Sequence, residues 1–86
     1  METAVILTNE AGLHARPAAL FVQTAAKFKS AITVRCGEKK GNAKSMLSLL
    51  ALGAKQGAEV SISADGPDAA AAVETLVTLV RSGLEG

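Results

Sequence analysis

Gly12-Leu13-His14-Ala15-Arg16-Pro17-Ala18 places the only histidine of the chain directly before a helix-start signal. Proline is tolerated in a first helical turn because the amide it lacks would have no partner there. Ala18, Phe21, Val22, Ala25 and Phe28 follow at the period of a core-facing helix. The spacing predicts a helix that begins near residues 15–17 and runs to about Lys27, with Gln23, Thr24 and Lys27 outward. His14 then stands at its mouth. A helix N-terminus offers unpaired N–H groups and the positive end of the dipole, which suit an anion. Arg16 adds a permanently charged planar fork that matches phosphate. An imidazole so placed can be a nucleophile that accepts a phosphoryl group, which the same helix-end amides and the guanidinium would hold. An exposed histidine at a helix start beside an incidental arginine accounts for the same residues.

Working outward, Thr3 to Thr8 reads as a strand, apolar throughout, and is expected to be well buried. Asn9 to Gly12 supplies turn residues, and Gly12 can take the positive φ that swings His14 into place. Downstream, Ala31 to Cys36 alternates around Ile32 and Val34, a second strand with Thr33 and Arg35 outward. After a Gly37-Glu38 turn, Lys39 to Asn42 makes a short polar edge strand, the form in which sheets avoid pairing with strangers. Ser45 caps a short helix ending at Gly53. Leu49 and Leu52 are its inward pair, and Met46, Leu47 and Leu50 face outward as an aliphatic patch of the kind that marks docking surfaces. Glu59 to Ala64 alternates as a fourth strand. Asp65-Gly66-Pro67-Asp68 turns into a third helix, with Pro67 in its first turn and Asp68 near its positive end. Ala72, Val73, Leu76, Leu79 and Val80 give that helix its inner face, and Ser82-Gly83 stops it. The order β-α-β-β-α-β-α favours an α+β domain over residues 1–86, with a four-stranded antiparallel sheet and all three helices on one face.

The composition narrows the function. With 86 residues, two Phe and no Trp or Tyr, the core must be built from Val, Ile, Leu and Ala. A net charge of +1 and the near absence of stacking aromatics argue against a nucleic-acid binder. The charge is uneven. Lys27, Lys29, Arg35, Lys39, Lys40 and Lys44 gather mid-chain, while Glu59, Asp65, Asp68, Glu74 and Glu85 lie in the last third. This pattern reads either as two solvated faces or as steering toward acidic partners. The lone Cys36 can form no internal disulfide, and with one histidine far from it no metal role is expected. No apolar stretch approaches membrane-spanning length, and Met1 leads into a strand without a signal-peptide pattern, so a cytoplasmic protein with no membrane insertion is expected. Neither a glycine-rich phosphate loop with its lysine nor carboxylates spaced for magnesium occur. No cofactor is expected, and a phosphoryl group on His14 would have to arrive from one protein and leave to another.

The heptapeptide 12–18 resembles the active-site signature of the HPr family, the histidine-containing phosphocarriers of the bacterial phosphoenolpyruvate-dependent phosphotransferase system. Asn42-Ala43-Lys44-Ser45-Met46-Leu47, continuing to Leu52-Gly53, resembles the family's second signature around a serine at a short helix, and the length matches a whole member. The resemblance implies an HPr-like open-faced β-sandwich. It implies that His14 accepts a phosphoryl group, on Nδ1, from phosphorylated enzyme I and passes it to an enzyme II A domain. In that role the chain is a carrier with a phosphohistidine intermediate rather than an enzyme in the strict sense, and a monomer. Arg16 and the backbone at Ala15 and Arg16 would hold the phosphate. Ala19, Gln23, Met46, Leu47 and Leu50 would form the docking face. Position 15 is Ala where some members carry Thr, so only its backbone can help. Ser45 matches a serine that a dedicated kinase, and a phosphatase, act on in some bacteria; capping its helix is its other role. Two further readings stand beside sugar transport: the nitrogen-branch regulatory carrier, which the Gly66-Pro67-Asp68 turn and the Ser82-Gly83 ending resemble, and a non-phosphorylated regulatory binding module of the same fold.

Overall fold

The computed structural model describes residues 1–84. Its elements run β1 (Glu2–Ile6), α1 (Ala15–Ala25), β2 (Ala31–Cys36), β3 (Lys39–Asn42), α2 (Met46–Ala51), β4 (Glu59–Asp65) and α3 (Ala69–Arg81). The strands form one antiparallel sheet in the order β1-β4-β2-β3, so β3 is an edge, as its lysines and shortness suggest. Val5, Ile32, Val34, Val60, Ile62 and Ala64 point to the helices and are buried; their neighbours along each strand are half-buried or exposed. The alternation leaves the other face of the sheet open. This is the four-stranded, three-helix α+β architecture expected from the chain order.

Several boundaries and faces differ from expectation, each for a physical reason. β1 is not buried throughout: Ala4 is exposed and Ile6 is 45% exposed, because both point to the open face. It also stops at Ile6 rather than Thr8, since its partner begins at Glu59, which pairs with Ile6. Leu7 keeps its backbone bonds to the preceding loop, donating to Ala58 O (2.9 Å) and accepting from Gly57 N (2.7 Å). α1 ends at Ala25, short of Lys27. There the bonding tightens, with Lys27 N on Thr24 O and Phe28 N on Ala25 O, and the Lys44 ammonium donates to Phe28 O at 2.6 Å.

In α2, Leu49 and Leu52 are buried as expected, but only Leu47 projects fully, 79% exposed. Met46 and Leu50 are half-buried, so the outward patch is narrower than the sequence suggests. Ser45 is the N-cap, its hydroxyl accepting from Ser48 N at 3.3 Å. β4 runs one residue further, to Asp65. Pro67 lies before α3 rather than in its first turn, because Asp68 is the N-cap and the helix begins at Ala69. On α3 it is Val77 that is buried with Ala72, Val73, Leu76 and Val80, while Leu79 is half-buried. Ser82-Gly83 ends α3 in a Schellman motif: Gly83 N donates to Val80 O and Leu84 N to Leu79 O, both at 3.0 Å. Glu85, counted with the acidic last third, lies outside the described residues.

Candidate functional site at the start of α1

The loop that carries His14 is held from both sides. Gly12 N donates to Asn9 O (3.1 Å), and the Asn9 side-chain amide donates back to Gly12 O (2.9 Å), closing the turn. Leu13 is buried, and its amide donates to Ala54 O at 3.0 Å. Gly12 has the positive φ expected of it, +61°, and it also needs its missing side chain: a Cβ would collide with the carbonyl oxygen of Ala54 and lie 2.8 Å from the Lys55 Cα. The glycine therefore lets the segment after α2 press against the histidine loop.

Residue 14 follows as the N-cap of α1, with extended backbone (φ −144°, ψ 154°). Its imidazole is exposed and makes no capping hydrogen bond, and α1 has no acidic residue in its first turn. The ring thus projects from a positive helix end without a carboxylate of that turn to compete for the site. Ala15 then turns the chain with φ +52°, in the left-handed region that favours glycine. Ala15 and Arg16 are exposed and Pro17 half-buried, while Ala18 and Phe21 anchor the helix in the core.

Two hollows flank this turn. His14 lines one of about 280 Å³ with Ala11, Leu13, Leu50, Gly53, Ala54 and Lys55. Arg16 lines the other, of about 620 Å³, with Pro17, Ala19, Leu20 and Gln23 of α1, and with Asn9, Ala11, Gly83 and Leu84. Ala11 lines both, so they adjoin. Of the residues singled out in the sequence, Leu50 shares the hollow of His14, and Ala19 and Gln23 share that of Arg16. Met46, Leu47 and Ser45 line neither. Sequence reasoning read Gly53 only as a helix stop within the second signature and missed Ala54 and Lys55, because all three lie about forty residues from His14; Gly12, demanding a close backbone approach, was the signal that something must pack there.

Among the described residues no group of three or more His, Cys, Asp or Glu side chains could hold a metal ion, and no helix is long and apolar enough to cross a membrane. Of the titratable groups, Asp68 stands out. Its carboxylate accepts from Lys29 N (2.8 Å), Ser30 N (2.9 Å) and the Ser30 hydroxyl (2.5 Å), and the Ser30 bond above all lowers its pKa from 3.8 to about 2. That cluster ties the start of α3 to the segment leading into β2. It is a structural clamp.

The sequence and the fold agree with known proteins. Residues 1–82 match the family model for the PTS HPr component phosphorylation site. The phosphocarrier protein HPr of Vibrio cholerae is 49% identical over 79 residues, 92% of this chain and 93% of that one. The HPr of Mycoplasma capricolum is 45% identical over 71 residues, 83% of this chain and 80% of that one. The crystal structure of HPr-C-His from Thermoanaerobacter tengcongensis superposes with a TM-score of 0.95 at 49% identity, covering 98% of this chain and 94% of that one. With the family model, the relatives and the superposed structure in agreement over most of the chain, the protein belongs to the HPr family of phosphocarriers of the phosphotransferase system.

Proposed function

We propose that the chain carries a phosphoryl group on His14, taking it from phosphorylated enzyme I and delivering it to an enzyme II A domain in carbohydrate uptake. The observation that carries this reading is the exposed, uncapped imidazole at the N-terminus of α1. In the transfer a ring nitrogen of His14, Nδ1 by family likeness, attacks phosphorus. The N–P bond of the donor breaks as the new one forms, and the electron pair returns to the donor imidazole. The second transfer repeats the exchange with His14 as the leaving group. The chemistry is chiefly positioning and electrostatics, so an open site that partners can approach in line suits it. The amides of Ala15 and Arg16 and the Arg16 guanidinium serve the phosphate, Arg16 reaching from the adjoining hollow. One copy of the chain is sufficient, and the relay belongs in the cytoplasm, where the lone Cys36 stays reduced.

The docking face takes in Leu50 beside His14, Ala19 and Gln23 beside Arg16, and Leu47 and Met46 on α2. A phosphate on Ser45, placed there by a kinase and removed by a phosphatase, would put negative charge next to that patch and slow transfer without unfolding α2.

Mass spectrometry after incubation with phosphoenolpyruvate and catalytic enzyme I tests the proposal, with His14→Ala as control. The expected result is an acid-labile gain of one phosphoryl group, absent in the control. A gain only with the nitrogen-branch enzyme I reassigns the pathway, and no gain with either favours the binding module.

A further inference from the structure

The cation that shares the hollow of His14 is not Arg16 but Lys55. We propose that Lys55 is a positioning residue for the phosphohistidine, its ammonium holding the phosphoryl oxygens from the side opposite Arg16. The inference rests on His14 being the phosphoryl carrier.

Three observations carry it. Lys55 and His14 line the same hollow of about 280 Å³, whose other walls (Ala11, Leu13, Leu50, Gly53 and Ala54) have no charged side chain. The backbone of residue 55 is set against the histidine loop: Leu13 N donates to Ala54 O, and Gly12 lacks the Cβ that would push the Lys55 Cα away. Lys55 is exposed, unlike Lys44, whose ammonium is committed to Phe28 O. A lysine offers a compact point charge on a flexible stem, able to follow a group that comes and goes. A phosphoryl group on His14 carries close to two negative charges near neutral pH, and a nearby cation favours the doubly ionised form. Arg16 and Lys55 would thus bracket the group from adjoining hollows.

The test is a pH titration by phosphorus NMR of the phosphohistidine in the full chain, loaded with phosphoenolpyruvate and enzyme I. Wild type is compared with Lys55→Gln, Lys55→Arg and Lys39→Gln, the last removing an exposed lysine on the edge strand β3. Lys55→Gln is expected to raise the second ionisation of the phosphoryl group by roughly 0.5 pH units, the scale of one charge a few ångströms away in water. Lys55→Arg should restore the wild-type value and Lys39→Gln should not move it. An unchanged midpoint in Lys55→Gln overturns the proposal, as does an equal rise in Lys39→Gln, which would make the effect one of net charge. Wild type that takes no phosphoryl group at all overturns the carrier reading itself, a failure visible before any variant is compared.

Discussion

Ala15 holds a left-handed backbone, φ +52°, directly after the histidine. An L-residue there costs about 1–2 kcal/mol against the right-handed region. The conformation persists because both flanks are fixed, Leu13 by its bond to Ala54 and Ala18 by complete burial. Strain of this kind persists only where the surrounding structure over-determines it, as these two flanks do. Ala15→Gly should therefore stabilise the fold by about 0.5–1 kcal/mol, relief of the strain outweighing the greater freedom of an unfolded glycine. A urea titration checks this, with a higher midpoint at unchanged slope expected. Gly12 announces its positive φ by being glycine. Ala15 gives no such notice, since its intrinsic preference opposes the conformation it adopts.

At the scale of elements, the Asp68 clamp joins the cap of α3 to the entry of β2. An aspartate before a helix leads one to expect a side-chain bond to its own first amides, yet no such capping bond forms here. The carboxylate instead satisfies the amides of Lys29 and Ser30 and the buried Ser30 hydroxyl. Its pKa in the fold is depressed to about 2 from 3.8. A depressed carboxylate contributes stability that is fully present above its unfolded value and is lost as pH falls through its folded one. Asp68→Asn should accordingly be less stable than wild type above pH 3.8, and the gap should close as the pH approaches 2. Denaturant titrations of both proteins at a series of pH values across that window test it. A gap that persists at pH 2 would place the effect outside the ionisation of Asp68. The serine partner lies 38 positions away in sequence, which is why the pairing was not legible there.

For the whole molecule, one modest core bears the load. Phe21 is its largest fully buried side chain, set among aliphatic residues from every strand but β3 and from all three helices. Removing a buried phenylalanine ring typically costs about 3–5 kcal/mol. A chain of this length is stable by only about 4–13 kcal/mol at the usual per-residue values. Phe21→Ala should therefore lower the thermal midpoint by many degrees and leave a fold close to the edge of stability, which a circular dichroism melt would register. The open face of the sheet has no comparable residue: Ile6 is its one large aliphatic side chain with high exposure.

Local chemistry wrote much of this protein in the sequence. Pro17 after His14, the hydroxyl of Ser45 and Gly83 after the last turn of α3 act over one helical turn, and alternation in Ile32–Val34 and Val60–Ile62 assigns strand faces without reference to a partner. These interactions are short-ranged, so their signals are contiguous. Other features come from segments far apart in the chain. β1 ends where β4 begins, Met46 and Leu50 are half-covered by packing around a helix of six residues, and Lys55 shares a hollow with His14 because Gly12 lets two backbones approach closely. No window of sequence contains both halves of such a contact. The histidine, its helix end and Arg16 were thus decided locally, and Lys55 and the walls around the histidine were decided by the fold.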